Sequence, residues 1–212
     1  MRSRVKNIRL AGAVGDSPIG ILDEPILPQQ NGSNQVVFVP FKAGIGTTTL
    51  VQRLCGSNAT NPTPSGGISG YRASWRIELD PITGSCRYEN FFIWDISYEI
   101  IEKCPELGNN LLQSAKIIVL LIPAEDRQSV QRVIAWHKGN ISESQKTIIV
   151  VTRCDRVESV QIRPSDIQNL SNILNSSVIQ ISAANVTREG SMQPSIRNLV
   201  IAISDLFCLT TN

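Results

Sequence analysis

The chain has 212 residues, 42% of them hydrophobic and 18% charged, with a net charge of +2 at neutral pH. That length and apolar content suit one domain with a core of its own, and Lys and Arg are spread along the chain without the basic block that a nucleic acid would need. The five cysteines are scattered without C-x-x-C spacing and His137 is the single histidine, so neither a disulfide framework nor a zinc site is suggested, and a reduced cytoplasmic compartment is expected.

Met1 to Asn34 alternates basic, glycine and proline residues around an apolar patch, Ile19 to Leu22 and Pro25 to Pro28. The expectation is an N-terminal arm over residues 1–34 that packs across its own domain; the competing reading is a docking segment. Gly12 to Ser17 resembles phosphate-loop wording, but no strand precedes it and Pro18 spoils a helix start.

The domain begins at residue 35. Val36 to Val39 is a short β-branched apolar run that predicts a buried strand, Lys42 to Gly46 predicts a tight loop, and Thr47 opens a helix. Strand, glycine loop and helix form a phosphate cradle: the glycines let backbone N–H groups converge on an anion, and the new helix points its positive end at the same place. Laid on the P-loop pattern G-x-x-x-x-G-K-[ST], Gly46 keeps the last glycine and Thr48 the magnesium-holding hydroxyl. Phe41 stands where the first glycine belongs, and Thr47 where the lysine belongs. A charge-assisted phosphate contact is worth roughly 1.5–3 kcal/mol, so the lost lysine lowers nucleotide affinity by one or two orders of magnitude unless Lys42 approaches from the front of the loop.

Gly56 to Gly70 is polar and rich in proline and glycine, the composition of a long loop. Tyr71 to Leu79 and Arg87 to Trp94 predict two strands joined by a turn over Pro81 to Ser85. The second strand runs into Asp95, which would sit at the carboxyl edge of a parallel sheet, where open α/β folds bind ligands; a helix-capping role is equally open. Tyr98 to Ser114 has a partly helical period interrupted by Pro105 and Gly108, and Lys116 to Ile122 predicts a buried strand. Gln128 to Lys138 predicts a helix, with His137 near its C-terminal end as a surface residue facing the helix dipole. Thr147 to Val151 predicts a strand ending in Thr152-Arg153-Cys154-Asp155, followed by a helix near Pro164 to Leu174. A strand from Val178 to Ile181 ends in Ser182-Ala183-Ala184, and a last helix runs from about Pro194 to Leu209. Strands alternating with helices predict an α/β fold with a mostly parallel six-stranded sheet, helices on both faces and one antiparallel edge strand.

Taken in order, the glycine loop with Thr48, then Trp94-Asp95, then Thr152 to Asp155, then Ser182-Ala183, each at a strand end, resembles the small GTPases of the Ras/Rab superfamily. The spacing from Asp95 to Asp155 and from Asp155 to Ser182 is close to that family's. Within it, Gly20 to Pro28, Phe92 to Asp95 and Asp126 to Ser129 are similar to the Rem/Rab-like GTPase subunits of the ciliogenesis and planar polarity effector (CPLANE) complex. The resemblance implies a P-loop small-GTPase-like fold over residues 35–212. It implies GTP or GDP with magnesium as cofactors, held by Lys42, Gly44, Gly46, Thr47, Thr48, Asp155, Ser182 and Ala183, with Thr48 and Asp95 on the metal. It further implies a Fuzzy–Inturned-like heterodimer as partner, membrane contact only through partners, and a place in the cytoplasm at the ciliary base or cell cortex.

The departures from the family pattern bear on mechanism. Tyr98 stands where D-x-x-G has the glycine that senses the γ-phosphate, and Glu99 where a glutamine often orients the attacking water. Arg153 replaces the stacking lysine and Thr152 the asparagine of the guanine motif, while the switch threonine falls near Ser65 or Gly66. Little or no GTP hydrolysis is expected, with no catalytic residue assigned, and Tyr98, Ile100 and Ile101 become candidate partner contacts. Lys42 to Thr49 is also similar to the deviant Walker loop of the MinD/ParA ATPases, which would make the chain an ATP-driven dimer but leaves Asp155 unexplained.

Overall fold

The computed structural model describes residues 8–10, 34–55, 67–80, 85–182 and 194–210. In chain order the elements are β1 (Ile8–Leu10), β2 (Asn34–Pro40), α1 (Thr47–Leu54), β3 (Ile68–Asp80), β4 (Ser85–Ile96), α2 (Tyr98–Lys103) and α3 (Pro105–Ser114). They continue with β5 (Ile117–Pro123), α4 (Gln128–Asn140), β6 (Lys146–Thr152), a short 3-10 turn (Val157–Ser159), α5 (Pro164–Leu174), β7 (Ser177–Gln180) and α6 (Pro194–Thr210).

The strands form one sheet in the order β1-β3-β4-β2-β5-β6-β7. From β4 to β7 all neighbours are parallel, whereas β3 runs antiparallel to β4. This is the P-loop small-GTPase-like fold expected from the sequence. To its six strands the N-terminal arm adds a seventh: β1 pairs antiparallel with the outer edge of β3, Ile8 opposite Ile77 and Leu10 opposite Trp75. Residues 8–10 thus lie across the chain's own domain. The apolar patch at residues 19–28 lies outside the described residues.

Side chains of successive strand residues alternate between the faces, and each face has its own core. On one, Val36, Phe38, Val119, Leu121 and Val150 pack under α1 through Leu50, Val51 and Leu54, and under α6 through Leu199, Val200 and Ile203. On the other, Val37, Val39, Ile118, Leu120 and Ile122 meet Leu112 of α3, Val130 and Val133 of α4, and Leu170 and Leu174 of α5. All seven residues of β5 are buried, which is why its sequence is an unbroken apolar run without alternation.

Two expectations are corrected locally. The hairpin is longer than its apolar runs: β3 starts at Ile68, inside the segment expected to be loop, because Ile68 pairs with Ile96 and Ser69 with Asp95. The stretch from Tyr98 to Ser114 breaks into two helices at Pro105 as its interrupted period predicts, but Gly108 lies inside the second helix and does not interrupt it. Cys104, with φ −134° and ψ 57°, is outside the helical region that the following proline disfavours, and Pro105 then occupies the first turn of α3, where its missing N–H costs nothing. No helix among the described residues is long and apolar enough to cross a membrane.

Candidate functional site

The carboxyl ends of β2, β4, β5 and β6 bring the sequence motifs to one edge of the sheet. β2 stops at Pro40, the Phe41 N–H donates to the Leu121 carbonyl at 2.9 Å, and the chain turns through the glycine loop into α1. Gly44 at φ +66° and Gly46 at φ +90° take the left-handed backbone that the turn requires, and Gly46 is the N-cap of α1. A cradle of this kind gathers N–H groups on an anion, and the start of α1 adds its positive end.

Phe41 does not fill the cradle. Its ring is 5% exposed and meets Trp136 of α4 edge to face, with centroids 5.6 Å apart, so the side chain that replaces the first glycine anchors the loop to the second core. Thr47, at the lysine position, is 8% exposed and carries no charge; Lys42 is exposed at the front of the loop.

Beside the loop, the Thr48 hydroxyl donates to Asp95 Oδ2 at 2.6 Å. Asp95 is 1% exposed at the end of β4, and the residue at the N-cap of α2 is Ser97, so Asp95 belongs to the loop corner and does not cap the helix. Tyr71 of β3 lies on the same side. Burial is the main cause that pushes its phenol above the ordinary range, and the nearby Asp95 charge acts in the same direction.

Past the end of β6, Ser182 Oγ donates to Asp155 Oδ1 at 2.7 Å, and this bond is the main cause holding the Asp155 carboxyl below its ordinary 3.8. Arg153, held at φ +60°, sends its guanidinium across to the loop, where one nitrogen donates to the Gly44 carbonyl and the other to Glu125 Oε1. Thr152 is 1% exposed and its hydroxyl turns back to the Ile122 carbonyl at 3.4 Å. Ala183 lies outside the described residues, as do Ser65 and Gly66.

At the sensor position Tyr98 begins α2, and its hydroxyl donates to Glu102 Oε1 at 2.5 Å. That bond pushes the Tyr98 phenol above its ordinary value. Glu99 is exposed, whereas Tyr98, Ile100 and Ile101 are half-buried, the two isoleucines against the second core.

The fold therefore gathers Gly44, Gly46, Thr47, Thr48 and Asp95 at the loop, and Asp155 with Ser182 at the neighbouring strand ends. Sequence reasoning missed Glu125 and Tyr71. The signal for Glu125 was the one that singled out Asp95, an acidic side chain just past an apolar parallel strand. Tyr71 carried no separate signal within its alternating strand. No protein-family model matches this chain, and no curated protein matches its sequence.

Proposed function

We propose that the chain is a degenerate small GTPase, a pseudo-GTPase or a weak, non-hydrolysing GTP binder, that acts as a subunit of a protein complex. The observation that supports this reading is a buried, uncharged Thr47 at the lysine position of a loop that keeps its left-handed glycines and Thr48. The glycines, the Thr48–Asp95 pair and the Asp155–Ser182 pair remain, while the cation that would neutralise the phosphates is gone. Thr48 and Asp95 present the oxygens that a magnesium ion takes and would hold it. Bound with a nucleotide, the ion would offset charge between the β- and γ-phosphates. Tyr98 and Glu99 stand in place of the sensor glycine and the water-orienting glutamine, and neither can do that job unchanged, which argues against a switch driven by hydrolysis. A ligand shifts a conformational equilibrium only through differential affinity, and losing the sensor reduces that difference. The resemblance to the CPLANE subunit supports a Fuzzy–Inturned-like heterodimer as partner, with any membrane contact made through those proteins at the ciliary base or cell cortex.

The test is nucleotide content. Protein purified with magnesium and then denatured should release substoichiometric guanine nucleotide, and should not turn over added GTP. Thr47→Lys should raise GDP affinity by about one to two orders of magnitude, since one charge-assisted phosphate contact is worth roughly 1.5–3 kcal/mol. Stoichiometric guanine nucleotide with turnover would overturn the reading, and released ATP would favour the deviant Walker alternative.

A further inference from the structure

We propose that Glu125, acting through Arg153, is the positioning residue that holds the glycine loop in its anion-receiving shape, and that it does so in the absence of any ligand. This rests on the reading of the loop as a phosphate cradle but not on a nucleotide being bound. Glu125 stands at a fixed point. The Ala124 N–H donates to the Thr152 carbonyl at 2.9 Å, and the Ala124 carbonyl accepts from Gln161 and Ile162 at 2.9 and 3.1 Å. Its side chain is 16% exposed, and Oε1 accepts from Arg153, with Arg156 farther off at 3.7 Å. The guanidinium is planar, so a carboxylate on one terminal nitrogen sets the direction of the other. That second nitrogen donates to the Gly44 carbonyl, a contact that bridges two motifs 109 residues apart.

The consequence follows from the peptide plane. In a trans peptide the C=O of one residue and the N–H of the next point in opposite directions. A guanidinium that draws the Gly44 carbonyl to its own side therefore turns the Ile45 N–H to the other side. Gly44 has a left-handed φ of +66°, so a side chain there would strain the backbone even though its Cβ would make only ordinary contact with Arg153 Nη2, at 3.9 Å. Because Glu125 neutralises the guanidinium, Arg153 shapes the loop without replacing the missing lysine.

The experiment is an amide NMR comparison of the full-length, nucleotide-free chain with Glu125→Ala, Arg153→Ala, the double variant and Arg153→Lys. Glu125→Ala and Arg153→Ala should each displace the cross-peaks of Gly44, Ile45 and Gly46, in the same direction. The double variant should add nothing to either single change. Arg153→Lys, whose single ammonium lacks the planar pair of nitrogens through which Glu125 aims the donor at the Gly44 carbonyl, should displace the same three cross-peaks. If Glu125→Ala fails to fold, Glu125→Gln replaces it, and a smaller displacement of the same three peaks is expected. Perturbation confined to residues 124–127 and 153–156, or additive displacements in the double variant, would overturn the proposal. Protein that proves empty of nucleotide but shows the coupled displacements keeps this inference, and nucleotide-loaded protein without them keeps only the GTPase-like reading.

Discussion

His137 shows how one side chain's surroundings set its chemistry. The sequence places it at the C-terminal end of a helix as a surface residue, but the fold half-buries it with Nε2 3.3 Å from Thr147 Oγ1. The Ser176 hydroxyl donates to the Leu174 carbonyl at 2.8 Å, so Thr147 donates to Ser176 and the Thr147 oxygen is left to accept from His137 Nε2–H. Burial lowers the His137 pKa below its ordinary 6.5. The unfolded chain therefore takes up this proton at a higher pH than the folded one. Its contribution to stability is complete above pH 6.5 and is lost as the pH falls through the lower folded value. The denaturation midpoint should decline on acidification below that point, and His137→Gln should flatten the decline; equal slopes in the two proteins would refute the assignment. Asp155 acts in the same direction in a lower window, since a carboxyl depressed below 3.8 gives up its contribution only as the pH falls below that value.

At the scale of elements, the P-loop pattern located the strand, loop and helix, and the failures lie where packing overrides local preference. Phe41 is a departure on the pattern, yet in the fold it is a core residue whose ring meets Trp136 and ties the loop to α4. Phe41→Ala should cost about 3–5 kcal/mol in chemical denaturation, as truncations of buried phenylalanines do, and a loss under 1 kcal/mol would show that the ring is not anchored there. The longer hairpin has a similar origin. Gly70 is a poor strand former, but the strand continues past it because Gly70 lies against the Phe92 ring, where a Cβ would come within 2.8 Å. The distal hairpin is held from the other side by α6, where Ser204 donates to Glu89 at 2.5 Å and Phe207 packs on Phe91 with centroids 5.2 Å apart.

Across the whole molecule, the sheet's carboxyl edge collects the ligand-type groups, and α2 leaves that edge carrying Tyr98 and Glu99. Ile100 and Ile101 are partly committed to the domain's own core, so a partner that docks at this turn meets Tyr98 and Glu99 first. Tyr98→Ala combined with Glu99→Lys should weaken co-purification with a Fuzzy–Inturned-like pair at least tenfold, about 1.4 kcal/mol, while thermal stability changes little. Unchanged co-purification would move the interface elsewhere.

By itself the sequence determined the alternation of strands and helices, the place of the glycine loop and the strand-end positions of Asp95, Asp155 and Ser182. Those features follow from local periodicity and from turn chemistry within a few residues of each position. Tertiary structure decided that Phe41 is core, that Thr47 is buried, that residues 8–10 extend the sheet, and that Glu125 and Arg153 brace Gly44. Each of these depends on groups far apart in the chain meeting across the sheet edge, and no local pattern carries that distance.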